Sequence, residues 1–260
     1  MNRPRFAALA LALALAAALA GCAGDGDKPS GPRKLSPINF SGRGWHVKQY
    51  ETAKWDPGPN YFSPTDENLW VDEKGWLHLR ITKRDDGRWY CAELISDTPP
   101  GYGTYVFTVG SRADTLDPNA VLGLFTFDDV LDGAIVNKYR ELDFELSRWG
   151  QPANQNAQMV VQPWSYAAAN LHRFDIDNAV SVDTVHGLTW TASGVSFKSA
   201  YGTAWPPAEK DVISTHTYTG AATPTARNAL VRLNLWLVDG KPPLDGQPQE
   251  MIVKRFDFIP

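Results

Sequence analysis

From Tyr139 to Ser147 the chain reads Tyr-Arg-Glu-Leu-Asp-Phe-Glu-Leu-Ser, and acidic and apolar residues alternate through its centre without a break. Glu141, Asp143 and Glu145 fall on one parity, and Leu142, Phe144 and Leu146 on the other. A period of two is that of a β-strand, whose successive side chains leave on opposite faces. The spacing therefore predicts a strand with one face for a core and one lined by three carboxylates. Same-face neighbours along a strand stand about 7 Å apart, and two charges at that range repel by about 2 kcal/mol at an effective dielectric near 20. A surface shaped for stability alone would mix in lysines. Such crowding raises the pKa of at least one member and couples their titrations.

A proton-carrying acid beside an ionised carboxylate is what cleavage of a glycosidic bond requires. The Cα atoms of Glu141 and Glu145 are expected roughly 13 Å apart, and each carboxylate reaches about 4 Å from its backbone. If the two lean together on a concave sheet, the gap falls to roughly 5 Å, the separation of a retaining glycosidase. Asp143 would stand between them, within hydrogen-bonding reach of either. An exposed acidic face or a cation site would show the same alternation, and the nonapeptide alone does not separate these readings.

The rest of the chain supports an all-β fold. After the first residues no amphipathic helical pattern of any length occurs. Short alternating or β-branched runs recur between Gly, Pro, Asn and Asp, and many strands at regular spacing predict a sandwich or jelly roll of antiparallel sheets. Expected strands include 45–50, 69–71, 76–81, 89–95, 103–109, 121–127, 158–162, 172–176, 185–190, 195–198, 230–238 and 251–258. The run Val121 to Phe127 is almost wholly apolar and is expected to be buried on both faces.

The chain opens with Met-Asn-Arg-Pro-Arg and an apolar run from Phe6 to Ala20, the charged and hydrophobic regions of a secretion signal. Leu19-Ala20-Gly21-Cys22 resembles the lipobox of bacterial lipoproteins, which implies a signal peptide over 1–21 and lipidation of Cys22. Ala23 stands where an Asp would mean inner-membrane retention, so the resemblance implies a lipid-anchored protein of the outer membrane. Residues 22–37 read as a flexible Gly/Asp/Lys/Pro/Ser tether, and 38–260 as one β-sandwich domain. With Cys22 lipidated, Cys91 has no intrachain disulfide partner and is expected to be a buried apolar group. The formal charge of −4 becomes −6 when Arg3 and Arg5 leave with the signal. No basic stripe is present, which argues against a nucleic-acid partner. Ten Trp, nine Tyr and eleven Phe suit both a large core and a cleft that stacks on sugars.

The order of segments resembles glycoside hydrolase family 16, the laminarinase and lichenase type. Glu141-Leu-Asp-Phe-Glu145 is similar to its catalytic strand. Cys91-Ala-Glu-Leu, Gly101-Tyr-Gly-Thr-Tyr-Val-Phe, Leu122-Gly-Leu-Phe-Thr-Phe127, His186-Gly-Leu-Thr-Trp190 with Ser193-Gly-Val-Ser-Phe197, and Leu233-Asn-Leu-Trp236 follow its other segments in the same order. The resemblance implies a concanavalin A-like jelly roll and a monomeric retaining endo-glycosidase acting on a β-glucan or related polysaccharide. A non-catalytic carbohydrate-binding lipoprotein on the same fold is the alternative. It further implies Glu141 as nucleophile, Glu145 as acid/base and Asp143 as the group that holds their protonation states. Tyr139, Glu93, Asn234 and Trp236 become sugar-contacting residues by the same likeness. The chain departs from the family at Ile95, where Arg or Lys is common, and Gln158 and Gln162 stand in for an Asn on the strand after the catalytic one. No cofactor and no metal centre are expected. Asp128, Asp129 and Asp132 are weighed as a structural Ca²⁺ site against a plain acidic loop. Trp149 and Trp164 are weighed as cleft platforms, and His172 and His186 as strand residues rather than catalysts.

Overall fold

The computed structural model describes residues 37–260. The expected signal peptide, Cys22 and nearly all of the expected tether lie outside these residues. In chain order the strands are β1 (Ile38–Phe40), β2 (Arg43–Val47), β3 (Tyr50–Trp55), β4 (Asn60–Phe62), β5 (Leu69–Val71), β6 (Leu77–Lys83), β7 (Trp89–Ser96), β8 (Gly103–Val109) and β9 (Ala120–Phe127). They continue as β10 (Leu142–Leu146), β11 (Ala157–Val161), β12 (Leu171–Phe174), β13 (Thr184–Thr191), β14 (Gly194–Tyr201), β15 (Val212–Tyr218), β16 (Leu230–Leu237) and β17 (Gln249–Ile259).

These strands form two antiparallel sheets. The first runs β1-β2-β7-β16-β9-β10-β11-β12. The second runs β5-β6-β17-β8-β13-β14-β15. β6 crosses to β7 at Thr82/Tyr90 and Lys83/Trp89 and joins the two sheets at a corner. β3 and β4 form a small hairpin set parallel to β7 through β4.

The expected alternation holds through β10. Leu142, Phe144 and Leu146 are buried, and Phe144 reaches across to the second sheet. Its ring lies 5.3 Å from Phe197, edge to face, and 5.4 Å from His186. Burying an apolar side chain of this size stabilises by about 1.5–3 kcal/mol, so three of them fix which face of β10 looks outward. A slip of one residue would bring the acids into the core.

The regular strand is shorter than the nonapeptide predicts. Arg140 adopts a positive φ of 54°, which ends the alternation before Glu141. Its buried guanidinium binds Asp128 at 3.2 Å and also binds Asp132. These two ion pairs offset the cost of a left-handed non-glycine residue, about 1–2 kcal/mol. They also take up two of the three aspartates weighed as a Ca²⁺ site, and Asp129 pairs with Arg232 at 2.6 Å. Among the described residues no cluster of three His, Cys, Asp or Glu side chains could hold a metal.

Both histidines weighed in the sequence face away from the acids. His186 is fully buried, its ring nitrogens 2.9 Å from the Thr184 and Ser199 hydroxyls. Burial pushes its pKa down to about 3, so it packs as a neutral ring. His172 bonds Ser214 at 2.9 Å and stacks on His216 at 5.4 Å, linking β12 to β15 across the margin of the sandwich. Cys91 is buried with no disulfide.

Candidate active site

Residues paired directly across neighbouring strands share a face, so the register gives the outer face of the first sheet. Asp143 lies between Phe125 on β9 and Val160 on β11, and Glu145 between Gly123 and Gln158. Gly123 continues to Asn234 on β16 and then to Glu93 on β7. Phe125 continues to Arg232, and Gln158 to Arg173 on β12. This face points away from the core, yet Glu93 is 0 %, Asn234 1 %, Asp143 2 % and Arg232 6 % exposed. It is therefore the floor of a recess rather than an open surface. Glu141 and Glu145 are half-buried and keep some access to solvent.

Glu141 stands one residue before the first ladder pair of β10, and side chains replace the missing strand contacts. Asn137, itself buried, accepts from the Glu141 amide at 2.9 Å and donates to its carbonyl at 2.8 Å. The Gln162 amide donates to the same carbonyl at 3.1 Å. The carboxylate of Glu141 has no hydrogen-bond partner among the described residues. Asp143 accepts from Gln162 Nε2 at 3.0 Å. It does not bond either glutamate, as its place in the sequence suggested; their charges act on it and raise its pKa. Glu145 accepts from Gln158 Nε2, while Gln158 Oε1 accepts from Arg173 Nε at 3.1 Å. Gln158 on β11 and Gln162 just after it thus each hold one acid.

All three acids are pushed above the ordinary carboxylate range. Glu141 rises to about 8, first from burial and then from the charge of Glu145, against the opposing pull of Arg232. Glu145 rises to about 7 through burial, opposed by the Gln158 hydrogen bond and the charge of Arg173. Asp143 is raised by burial and by both glutamates. Their titrations are coupled, so near neutral pH the trio holds protons as well as charge.

The other expected site residues are placed as follows. Tyr139 stacks on Phe127 at 5.0 Å and 10° and is 40 % exposed, at the Glu141 end of the recess. Trp236 is buried against Trp149, edge to face at 5.6 Å, toward the Glu145 end. Glu93 has no surface to offer a ligand. Its carboxylate meets Lys48 at 2.9 Å, Arg232 at 3.0 Å and Asn234 at 3.3 Å. Burial pushes its pKa up, but Lys48 and Arg232 overcome this and hold it below the ordinary value. Asn234 keeps its Oδ1 buried and without a partner.

Arg173 on β12 and Arg232 on β16 come to this face only once the register is known, and Lys48, just after β2, is placed there by its bond to Glu93. Their partners are distant in sequence, and no local pattern marks them. Asn137 gave no signal beyond its type, a residue suited to bonding backbone groups in turns.

Gly123 keeps the floor open between Glu145 and Asn234. A Cβ there would meet Asn234 Oδ1 at 2.4 Å. Gly123→Val is expected to push Asn234 off Glu93 and to cost about 1–3 kcal/mol of overpacking. A thermal melt checks the stability, and ligand titration checks the floor. Wild-type values in both would show that the close approach is not needed.

No protein-family model matches the sequence, and no curated protein matches it. Solved structures do match the fold. The β-glucanase of Bacillus licheniformis superposes with a TM-score of 0.59 at 15 % identity, over 86 % of this chain and 94 % of its own. A β-1,3-1,4-glucanase (lichenase) from a mouse hindgut metagenome gives 0.58 at 14 % identity, over 82 % and 92 %. The fold is that of the β-glucanases. A Mycobacterium tuberculosis protein described as an immunostimulatory antigen and pseudo-β-1,3-glucanase shares the glucanase fold with a TM-score of 0.59 at 21 % identity, over 81 % of this chain and 88 % of its own. Each match covers most of both chains, so the likeness extends over the whole sandwich.

Proposed function

We propose that this glucanase-fold protein is a retaining endo-glycosidase that hydrolyses O-glycosidic bonds of a β-glucan or related polysaccharide. The observation that carries the reading is the trio itself: three coupled acids with raised pKa values, in one row, at the floor of a recess. Desolvated carboxyls that hold a proton near neutrality are the groups general acid catalysis uses.

The family resemblance assigns the roles, against the order of the two pKa values, so the reacting form is the one in which the proton sits on Glu145 and Glu141 is ionised. Glu145 donates its proton to the glycosidic oxygen as the bond to the anomeric carbon breaks. The Glu141 carboxylate forms the ester to that carbon. Water, deprotonated by Glu145, then releases the sugar and restores both acids. Gln158, oriented by Arg173, holds one oxygen of Glu145. Asp143, held by Gln162, has its own proton affinity raised by both neighbours. Tyr139 on Phe127 offers a ring for stacking, while Asn234, its Oδ1 buried over Gly123, belongs to the floor. Trp236 and Glu93 support that wall and floor.

A carbohydrate-binding role without hydrolysis is the second reading, favoured by the neighbour described as a pseudo-glucanase. The experiment that separates them is incubation with laminarin, mixed-linkage glucan, agarose and carrageenan, with the products sized. Endo-hydrolysis predicts shorter oligosaccharides from at least one of them. Polymers left intact throughout would remove the enzymatic reading.

A further inference from the structure

The loop after β11 carries two aromatic side chains that no contact of the fold requires. Trp164 is 60 % and Tyr166 67 % exposed, with ring centroids 5.9 Å apart at 73°. The loop beneath them is held in place. Asn170, buried, donates to the carbonyls of Val161 and Pro163 at 2.8 Å each and accepts from the Ser165 amide at 2.8 Å. The rings are thus displayed by a backbone whose ordering cost is met before any ligand arrives.

The loop is also tied to the acids. Gln162 donates to Asp143 through Nε2 at 3.0 Å and accepts from the Trp164 amide through Oε1 at 3.0 Å. One side chain therefore links the central carboxylate to the base of the aromatic pair. The Gln162 backbone amide bonds the Glu141 carbonyl, which places the loop at the Glu141 end of the recess. Tyr139 stands at that end too, two residues before Glu141.

We propose that Trp164, with Tyr166, is a saccharide-stacking site that grips a neutral glucan chain where it passes the Glu141 end of the recess. The proposal rests on the glycosidase reading for the direction of the chain, though not for the binding itself. Exposed aromatic rings offer a large apolar face at low conformational cost, and the C–H face of a pyranose is its complement. The chain's net charge of −4 and the three acids beside the loop disfavour a polyanion and leave a neutral polyol as the fitting ligand. A pinned surface loop with exposed rings beside buried acids is where binding residues concentrate.

The test uses β-1,3-glucan and mixed-linkage oligosaccharides of two to six sugars. Binding is measured by calorimetry to the Glu141→Gln protein, with and without Trp164→Ala, Trp164→Phe and Tyr166→Ala. Wild-type hydrolysis of the parent glucans is followed in parallel. Trp164→Ala is expected to weaken hexasaccharide binding at least tenfold and to abolish the gain in affinity from short to long chains. Trp164→Phe, which keeps a ring, is expected to restore most of that gain, with the melting temperature unchanged in all variants. Hexasaccharide binding unaffected by Trp164→Ala and Tyr166→Ala would overturn the proposal, as would no binding of any oligosaccharide. Binding lost in Trp164→Ala by a protein that hydrolyses nothing would uphold this site while removing the enzyme. Hydrolysis with unaltered binding in the variants would do the reverse.

Discussion

Glu141→Gln is expected to lower kcat on a cleaved glucan by ~10⁴-fold or more, because an amide cannot form the glycosyl ester and no neighbouring group replaces it. Glu145→Gln is expected to cost less, about 10²- to 10⁴-fold, the usual contribution of a general acid. The two differ in a second way. With an activated aryl leaving group the first step needs no proton, so Glu145→Gln should regain bond cleavage there and Glu141→Gln should not. Stopped-flow kinetics on an aryl β-glycoside checks both. Equal losses on activated and natural substrates would remove the assigned roles.

The same substitution has an opposite effect on stability at alkaline pH. In the folded protein the Glu141 pKa is raised from 4.5 to about 8, by burial first and the Glu145 charge second. Between those values the folded chain keeps a proton that the unfolded chain has lost. Stability is therefore greatest below the unfolded value and falls as pH rises through the folded one. Gln at 141 removes this fall, so the variant should melt higher than wild type at pH 9 and differ less at pH 5. Activity lost together with stability at pH 9 would show that Glu141 is a structural group.

Glu93→Ala should be among the most destabilising substitutions in the domain. Glu93 lies between Lys48 and Arg232, both nearly buried. Removing it leaves Lys48 without a carboxylate and Arg232 with Asp129 alone, at a cost of about 3–5 kcal/mol. In a domain of this size that lowers the melting temperature by roughly 10 °C. The sign with pH is opposite to that of the acid trio. The Glu93 pKa is held low, so its contribution is present above the ordinary carboxylate range and is lost as pH falls through the folded value. Joint replacement of Lys48, Glu93 and Arg232 by apolar residues of similar size is expected to recover most of the loss. Thermal melts of the single and triple variants check this. A single variant as stable as wild type would show that the network is not held by its charges.

Much of the fold was legible because it rests on local alternation. Leu142, Phe144 and Leu146 announce the core face of β10, and the acids announce the other, since a strand offers only two directions. The hairpin of β5 and β6 is equally local, closed where the Gly75 amide donates to the Asp72 carbonyl. Other features depend on contacts that sequence separation hides. Arg140 breaks the strand through its pairing with Asp128 and Asp132, and Asn137 replaces a strand neighbour for Glu141. The place of Glu93 was legible through the family likeness, but its engagement was not, because Arg232 lies 139 residues away. β15 was missed although Val212 to Tyr218 is β-branched, because its half-exposed face carries no apolar run. The hairpin β3–β4 was hidden by the prolines between its strands.

The central claim is that the acids of β10 and the residue before it act together on one sugar linkage. Proton NMR of the first product formed from a β-glucan, before mutarotation, tests it most directly. The account predicts a β-anomer, the product of two displacements through a Glu141 ester. An α-anomer as the first product would contradict it, because it requires a single displacement by water across a wider gap between the carboxylates.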